Sequence, residues 1–572
     1  MAVWEPRQQA RSWWRITQVS WTDWTALDTY YWLEHSFQYS ANINCDDEMH
    51  GIKLANKATF SNHYKECQLV SCWINWVMAL NVKWLATPIM FNHSNFVSGW
   101  SSTWDQSEPA TDWDVCPWVV FQDFMWYGVN VEIGWQPYHW VFAKNIASGI
   151  DYKTVPLDHP EATDESISDP SNAWLPMQWN ITAMLNYNNT RLVVGAGQEL
   201  WVYYPELDAA NPNNPNYDRE NPIPIQNRKM GWKKVLDYEN WVTIVGLTCT
   251  FEYLKVRAVD EWWNTKVYYY QGNNNLRDTF VYNVVDLTGE RVLHVYSLNG
   301  IDYYTTSIDW TDGYVNLNKM IGNIPVQLFH QRAWLDRLDI NFKAPYFVWP
   351  TGINAAYKSG RFYIADAYGV FQFIQTPASY DKGYMKWKLS DDLSTTTGQQ
   401  VYWVCENQGF LYVSTEDGCR EMRLYDTWVD GYQDQWVLIS REFEWKEWWT
   451  VTKMLDEIRM NFELNPLTDE NWSIDVYVSP NNLWRNTFEF TVANGWHHAM
   501  HIDQTNAGTR AEKSNLFNDL NNGNSSFRFD WQTITYAIVI TKWDEDKATP
   551  IVRQLDIKYH CKDKVNNVYD IN

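Results

Sequence analysis

The sequence predicts an all-β protein, a β-propeller-like repeat domain followed by an antiparallel β-sandwich. Apolar strands recur in loosely similar packets through most of the chain. Evenly alternating apolar and polar residues take over near the C-terminal end. Helical text is scarce. The change of character falls between Glu421 and Asn481, which divides the chain into an N-terminal arm or partial blade (1–45), the repeat domain (46–435) and the sandwich (436–572).

Residues 1–45 are polar and turn-prone, with an apolar patch from Tyr30 to Leu33. From Gly51 onward the packets follow one another: GIKLANKATF, CQLVSCWINWVMALNV, VVFQDFMWYGVNVEIG, ITAMLNYNNTRLVVGAGQELWVYYPE, WVTIVGLTCTFEYLKVRAVD, RVLHVYSLNGIDYYTTSID, INAAYKSGRFYIADAYGVFQFIQ and QQVYWVCENQGFLYVSTEDG. Each is an apolar strand, a polar turn often holding Asn or Gly, and a second strand. A period of roughly 50 to 60 residues fits a propeller, whose blades bury their faces only against one another. Roughly six to eight blades fit the repeat domain; stacked sandwiches are the structural alternative. Two long connections, Asp158 to Pro176 and Asp208 to Pro224, are rich in Pro, Asn, Ser and acidic residues and read as surface loops.

After the change of character, Ile458, Met460, Phe462 and Leu464 alternate with Arg459, Asn461 and Glu463. A strand sends successive side chains to opposite faces, so one face is buried and one is wet. Ile474, Val476 and Val478 repeat the pattern, as do Phe527, Phe529 and Trp531. So do Ala537, Val539 and Thr541 against Ile538 and Ile540, and Leu555, Ile557 and Tyr559. Several half-buried strands with polar links read as a sandwich; further blades are the alternative. NLFNDLNN near Leu516 is the one stretch that reads as a helical turn.

A formal charge of −24 argues against a nucleic-acid surface, which needs a basic face to displace counterions. No run of about 18 apolar residues is present to span a membrane. MAVWEPRQQARSWWRITQ lacks the apolar segment of a secretory signal. Cys45, Cys67, Cys72, Cys116, Cys249, Cys405, Cys419 and Cys561 form no C-x-x-C pair, so buried or incidental thiols in a reducing compartment are expected.

Tryptophan occurs 38 times and glycine 25 times, against an average glycine usage of about 7%. Many tryptophans stand where tight turns place glycine: Asp23-Trp24, Asn75-Trp76, Glu261-Trp262-Trp263-Asn264, Asp309-Trp310, Glu447-Trp448-Trp449, Asn471-Trp472 and Gly495-Trp496-His497. A source that reads UGA as glycine, with UGA printed here as tryptophan, accounts for this placement. An aromatic-rich sugar-binding surface is the alternative, but its rings would cluster on a face rather than follow Asn and Asp.

No catalytic, cofactor-binding or metal-binding residues are assigned. Acidic residues number 69, so pairing two of them for glycosidase chemistry carries no information. The glycines of Gly195-Ala196-Gly197 follow a strand but precede another strand, so the dinucleotide fingerprint fails for want of a helix. His497, His498 and His501 form H-H-x-x-H, a spacing able to bind metal, but the polar text around them reads as a loop without an apolar helical face. Asp309 to Asn316 lacks the closing glutamate of a calcium loop and reads as an Asp-Gly turn.

The segments LTCTFEYLKVRAVD, DTFVYNVVDLTGERVLHVY, NQGFLYVST and the closing TPIVRQLDIKY carry a family likeness. The chain resembles tailed-bacteriophage structural proteins in which a propeller-like domain precedes a β-sandwich. The resemblance implies a non-enzymatic component of a tail ring, nozzle or tip, made in the host cytoplasm and resident in the virion. Its implied partners are other virion proteins and copies of itself, with no cofactor, nucleic acid or membrane span. Two other classes stand beside it: an adhesin or lectin meeting a host glycan or receptor, and a propeller glycosidase with an appended carbohydrate-binding sandwich.

Overall fold

The computed structural model describes residues 13–18, 22–23, 36–44, 52–65, 67–73, 76–80, 89–98, 117–121, 124–133, 135–147, 151–155, 178–204, 232–239, 241–250, 252–262, 264–271, 276, 280–287, 290–298, 301–307, 314–332, 347–348, 361–366, 369–375, 384–388, 401–415, 417–424, 435–440, 453–464, 468–480, 490–505, 512–516, 534–544 and 547–561. Among them the regular structure is strand, apart from 3₁₀ turns at His93–Asn95 and Val492–Asn494. The expected helical turn near Leu516 is not seen where described: Asn515 and Leu516 end the strand Glu512–Leu516. The chain divides into two compact units. The larger is Ala58–Val370 with Leu393–Tyr425; the smaller is Met1–Lys57, Phe371–Asp392 and Asp426–Asn572.

The larger unit is a succession of small antiparallel meanders, the blade pattern of a propeller. The first holds Gln68–Trp73, Trp76–Leu80 and Ile89–Phe91. The second is Trp118–Phe121, Phe124–Ile133, Gln136–Ala147 and Asp151–Val155; the third is Ile181–Tyr187, Arg191–Ala196, Glu199–Tyr203 and Trp232–Asp237. The fourth runs through Thr243–Cys249, Tyr253–Val259, Thr265–Gln271 and Phe280–Asp286, and the fifth through Arg291–Leu298, Ile301–Ser307, Tyr314–Ile321 and Ile324–Arg332. Phe347–Val348 pairs with Arg361–Asp366 in a further hairpin. The last blade is Val401–Asn407, Phe410–Thr415 and Cys419–Arg423. Its fourth strand comes from the opposite end of the unit: Ala58–Ser61 pairs with Cys419–Arg423, Met422 facing Ala58 and Cys419 facing Ser61.

Local chemistry explains the hairpins. Asn188 and Asn189 take φ +51° and +56° between the first two strands of the third blade, and Gln408 and Gly409 take +54° and +83° in the last. Two consecutive positive φ values make the turn whose twist matches the flanking strands, and Asn and Gly tolerate them best. Blades then interlock through the first strand of the next. Ile181 lies so close to Gly128 that a Cβ there would stand 2.5 Å from its Cγ2; Ile244 meets Gly195 in the same way at 2.6 Å. Apolar cores fill the gaps between blades. Phe121, Trp126, Ile181, Leu192, Val194 and Trp232 form one, and Val193, Leu200, Val202, Ile244, Leu254 and Val256 form the next. Tyr64, Leu69, Phe91 and Phe96 pack with Tyr412 and Cys419, so the last and first blades share a core.

The smaller unit has two large sheets, beside the short pair Ile43–Asn44 with Lys53–Leu54 and the pairing of Gly369–Gln375 with Tyr384–Lys388. One orders Trp13–Gln18, Ile551–Cys561, Lys453–Glu463 and Glu512–Leu516. The other orders Thr22–Asp23, Ser36–Ala41, Gln435–Ser440, Ile534–Lys542, Trp472–Pro480 and His497–Asp503, antiparallel except for the short first pair. Segment 13–18, expected in an arm or partial blade, therefore pairs with Ile551–Cys561. Ile458, Met460, Phe462, Ile474, Val476 and Val478 are buried as the alternation predicts, and the rings of Phe462 and Trp472 meet across the two sheets at 5.7 Å. Two expectations differ. Leu464 is 49% exposed because the strand ends at Glu463. Ala537 through Ile540 are all buried, because Ile534–Lys542 is central in its sheet and covered on both faces. Phe527, Phe529 and Trp531 lie outside the described residues.

Among the described residues, two pairs of tryptophans contrast. Trp135 and Trp241 take φ +73° and +79° and are 92% and 75% exposed. Bulky L-residues avoid that conformation, and glycine adopts it without steric cost. Trp472 and Trp496, grouped by sequence with the turn positions, are instead buried, and Trp496 meets Phe490 at 5.2 Å. If UGA is read as glycine, peptide mass spectrometry of the native protein gives glycine mass at positions 135 and 241 and tryptophan mass at 472 and 496. Tryptophan mass at the first two rejects the recoding. For the blade contact, Gly128→Ala is expected to cost about 1–3 kcal/mol by overpacking, read from urea unfolding. Pairing it with Ile181→Ala should cost less than the sum of the two single changes; strict additivity would mean that the two sites do not touch.

Candidate functional site

Two polar clusters stand out, one in each unit. The first lies between the fourth and fifth blades. Lys255, on the second strand of the fourth, is 2% exposed and forms an ion pair with Asp302 on the second strand of the fifth. Its ammonium also donates to Ser297 Oγ at 2.6 Å. Ser297 Oγ in turn donates to Asp302 Oδ1 at 2.8 Å. Tyr269 donates its phenol to Asp302 Oδ2 at 2.6 Å, and the Tyr304 hydroxyl is 2.6 Å from it.

Burial pushes the Lys255 ammonium below its ordinary range, and Asp302 opposes that shift. Burial raises the Tyr269 and Tyr304 phenols. A buried lysine beside a carboxylate and a phenol is a pattern that catalytic sites use, but here the cluster binds two blades together. Arg257, two residues along the strand, does the same with backbone: it donates to Val245 O at 2.8 Å and Val292 O at 3.0 Å. Neutral groups bridge blades at other described boundaries. Asn130 donates to Ile181 O and accepts from Ile181 N, both at 2.8 Å; Thr182 donates to Ile244 O at 2.6 Å; Asn407 donates to Ser71 Oγ at 2.7 Å. Polar side chains at these boundaries extend the hydrogen-bond ladder from one sheet to the next, which keeps buried backbone groups satisfied.

The second cluster is at the solvent-facing edge of the six-stranded sheet. The sequence predicts His497, His498 and His501 in a polar loop; they are in fact on the strand His497–Asp503. Asp475, on the neighbouring strand and not singled out by sequence, lies beside two of them. Its Oδ1 is 2.8 Å from His498 Nε2 and 2.7 Å from His501 Nδ1. Burial alone would raise the Asp475 carboxyl, but hydrogen bonds with His498 and His501 hold it below the usual range. The bond to Asp475 raises His501, with Asp503 adding to it. Burial lowers His497.

Other residues singled out by sequence have structural places. Gly195 and Gly197 flank Ala196 at a hairpin between strands, with no helix following. Residues 309–313 lie outside the described residues. Cys67, Cys405 and Cys419 are buried thiols outside any disulfide; burial pushes Cys67 up to about 12 and raises Cys419 well above its ordinary value, so neither of these two is a nucleophile at neutral pH.

No protein-family model matches the chain, and no curated protein matches it. Among solved structures, the β-propeller domain of Nup133 from Vanderwaltozyma polyspora is similar at 9% identity and TM-score 0.37, over 67% of this chain and 99% of that one. A catalytically inactive virginiamycin B lyase from Staphylococcus aureus with quinupristin is similar at 8% identity and TM-score 0.36, over 64% and 99%. The β-propeller domain of the Trilobed protease from Pyrococcus furiosus is similar at 9% identity and TM-score 0.31, over 57% and 91%. Likenesses this distant carry no argument about function; the propeller assignment rests on the strand order described above.

Removing one partner of a buried ion pair costs about 3–5 kcal/mol, whereas replacing both with apolar groups is often near neutral. Lys255→Met and Asp302→Leu are each expected to lower the unfolding free energy, read from urea titration, by that amount, and the double variant by clearly less than the sum. Single variants at the wild-type midpoint would remove the cluster's role between blades.

Proposed function

We propose that this chain is a non-enzymatic structural component of a bacteriophage tail, part of a ring, nozzle or tip, joined to copies of itself or to other virion proteins. The phage assignment is supported by the sequence resemblance. The building role is supported by one surface observation in the larger unit. The last strand of the fourth blade exposes Val281, Tyr282 and Val284, and the neighbouring hairpin of the fifth exposes Ile321, Ile324 and Val326. Asn283 and Asn323 tie the two together through reciprocal amide hydrogen bonds of 2.7 and 3.3 Å.

Contiguous exposed apolar side chains on an outer strand are an aggregation hazard unless a partner covers them. Lysine, proline or an inward charge would ordinarily protect such an edge; the strand FVYNVVD carries a single charge, at its last residue. An assembly that buries this edge accounts for its composition. The titratable groups of the Lys255 cluster, meanwhile, are spent on one another rather than turned toward a ligand.

The expected behaviour is concentration-dependent self-association of the full chain in analytical ultracentrifugation. Val281→Asp with Ile324→Asp should abolish it while leaving the circular dichroism spectrum unchanged. Peptides of the chain should also be abundant in purified phage particles. A wild-type chain that stays monomeric at every concentration and is missing from particles would reject the proposal.

A further inference from the structure

The H-H-x-x-H segment has a feature that the building role does not use. Side chains three apart on a regular strand point to opposite faces, yet His498 and His501 both reach Asp475. The pairing register explains it. Asp475 faces His501, Val476 faces Met500, and Tyr477 faces His498, so the register shifts between Val476 and Tyr477 and Ala499 is the extra residue. This is a β-bulge, which re-aims side chains and recurs beside functional sites. Ala499 and Met500 both turn into the core, leaving the two histidines on the exposed face with Asp475 and Tyr477. The ring of Tyr477 lies 5.0 Å from that of His498 and stacks on Phe490 at 4.9 Å, which gives the imidazole a fixed wall.

We propose that Asp475, His498 and His501 form a binding site for a borderline divalent cation of the zinc class. One ligand atom from each of the three lies within 4.8 Å of the other two, and Asp475 Oδ1 meets His498 Nε2 and His501 Nδ1. Tetrahedral ligands at zinc bond lengths stand about 3.3 Å apart. The two carboxylate–imidazole separations of 2.7 and 2.8 Å need to open by about 0.5 Å, and the imidazole nitrogens, within 4.8 Å of one another, need to settle at the same spacing by side-chain rotation of the half-exposed rings. Two imidazoles and one carboxylate suit zinc and its first-row neighbours over magnesium or calcium, which prefer all-oxygen sets.

The outer support is also in place. His501 Nε2 lies 3.3 Å from Asp503 Oδ2. A proton held there leaves Nδ1 with its lone pair toward the cation, the carboxylate–histidine–metal relay that orients ligands in metalloproteins. Asp503 is itself held, because its Oδ1 accepts from Thr505 N at 2.9 Å and from Thr505 Oγ1 at 2.6 Å. The second oxygen of Asp475 is 3.4 Å from Ser473 Oγ, at the limit of a hydrogen bond. A fourth position faces solvent, where water completes the shell.

Isothermal titration of the full-length chain with Zn²⁺ tests this. One ion per chain is expected above any weak background from surface carboxylates. His498→Ala or His501→Ala should weaken that event at least about tenfold, and Asp503→Asn by about 10–100-fold. His497→Ala, which alters a neighbour outside the trio, should leave it unchanged. Unaltered urea midpoints verify that the variants fold. Equal binding by wild type and the His498→Ala/His501→Ala double variant, or displacement of Zn²⁺ by equimolar Mg²⁺, would overturn the site and leave the trio as hydrogen-bonded surface residues only.

Discussion

The larger unit depends on the pairing of Ala58–Ser61 with Cys419–Arg423. A blade on its own is a small twisted sheet with two apolar faces and too little area to stand in water. Neighbouring blades cover those faces, but a linear row would leave the first and last uncovered. Completing the last blade with the unit's first strand places Tyr64 and Leu69 beside Tyr412 and Cys419 in one core, and the covalent chain then holds the closure together. The cost is a loop spanning almost the entire unit, an entropic term that rises only logarithmically with length.

Given that closure, every boundary between blades must bring two sheets close enough to exclude water while pairing their polar groups. The chain meets this requirement in different ways at different boundaries. Glycines at 128 and 195 remove the Cβ that would collide with Ile181 and Ile244. Asn130 and Thr182 bridge to the next first strand with neutral hydrogen bonds. Between the fourth and fifth blades Lys255, Asp302 and Arg257 supply charge instead. Buried ion pairs add less stability than apolar packing of similar volume does, but removing one partner leaves an uncompensated charge.

Much of this architecture was legible. Asn188-Asn189 and Gln408-Gly409 are turn text, and the strands on either side have the expected apolar character. The alternation from Ile458 to Phe462 and from Ile474 to Val478 predicted buried rows that the structure contains. What escaped were pairings between distant segments. Nothing local in residues 13–18 marks them as partners of Ile551–Cys561. Residues 537–541 read as half-buried because their pattern does not reveal how many neighbours a strand has. The metal-ligand trio was half visible. His498 and His501 stand out by spacing, but Asp475 lies 23 residues away from the nearer one, and the bulge that turns both imidazoles to its side has no local signature in Ala499.

Sequence alone determined that the chain is built of strands, where hairpins turn, and which strands carry an apolar face, because those properties follow from backbone sterics and side-chain periodicity within a few residues. Tertiary structure alone decided which strand completes the last blade, which glycine receives which isoleucine, and which carboxylate meets the two histidines. Those choices depend on contacts between residues remote in the chain, whose energies arise only once the sheets have packed and water has left between them.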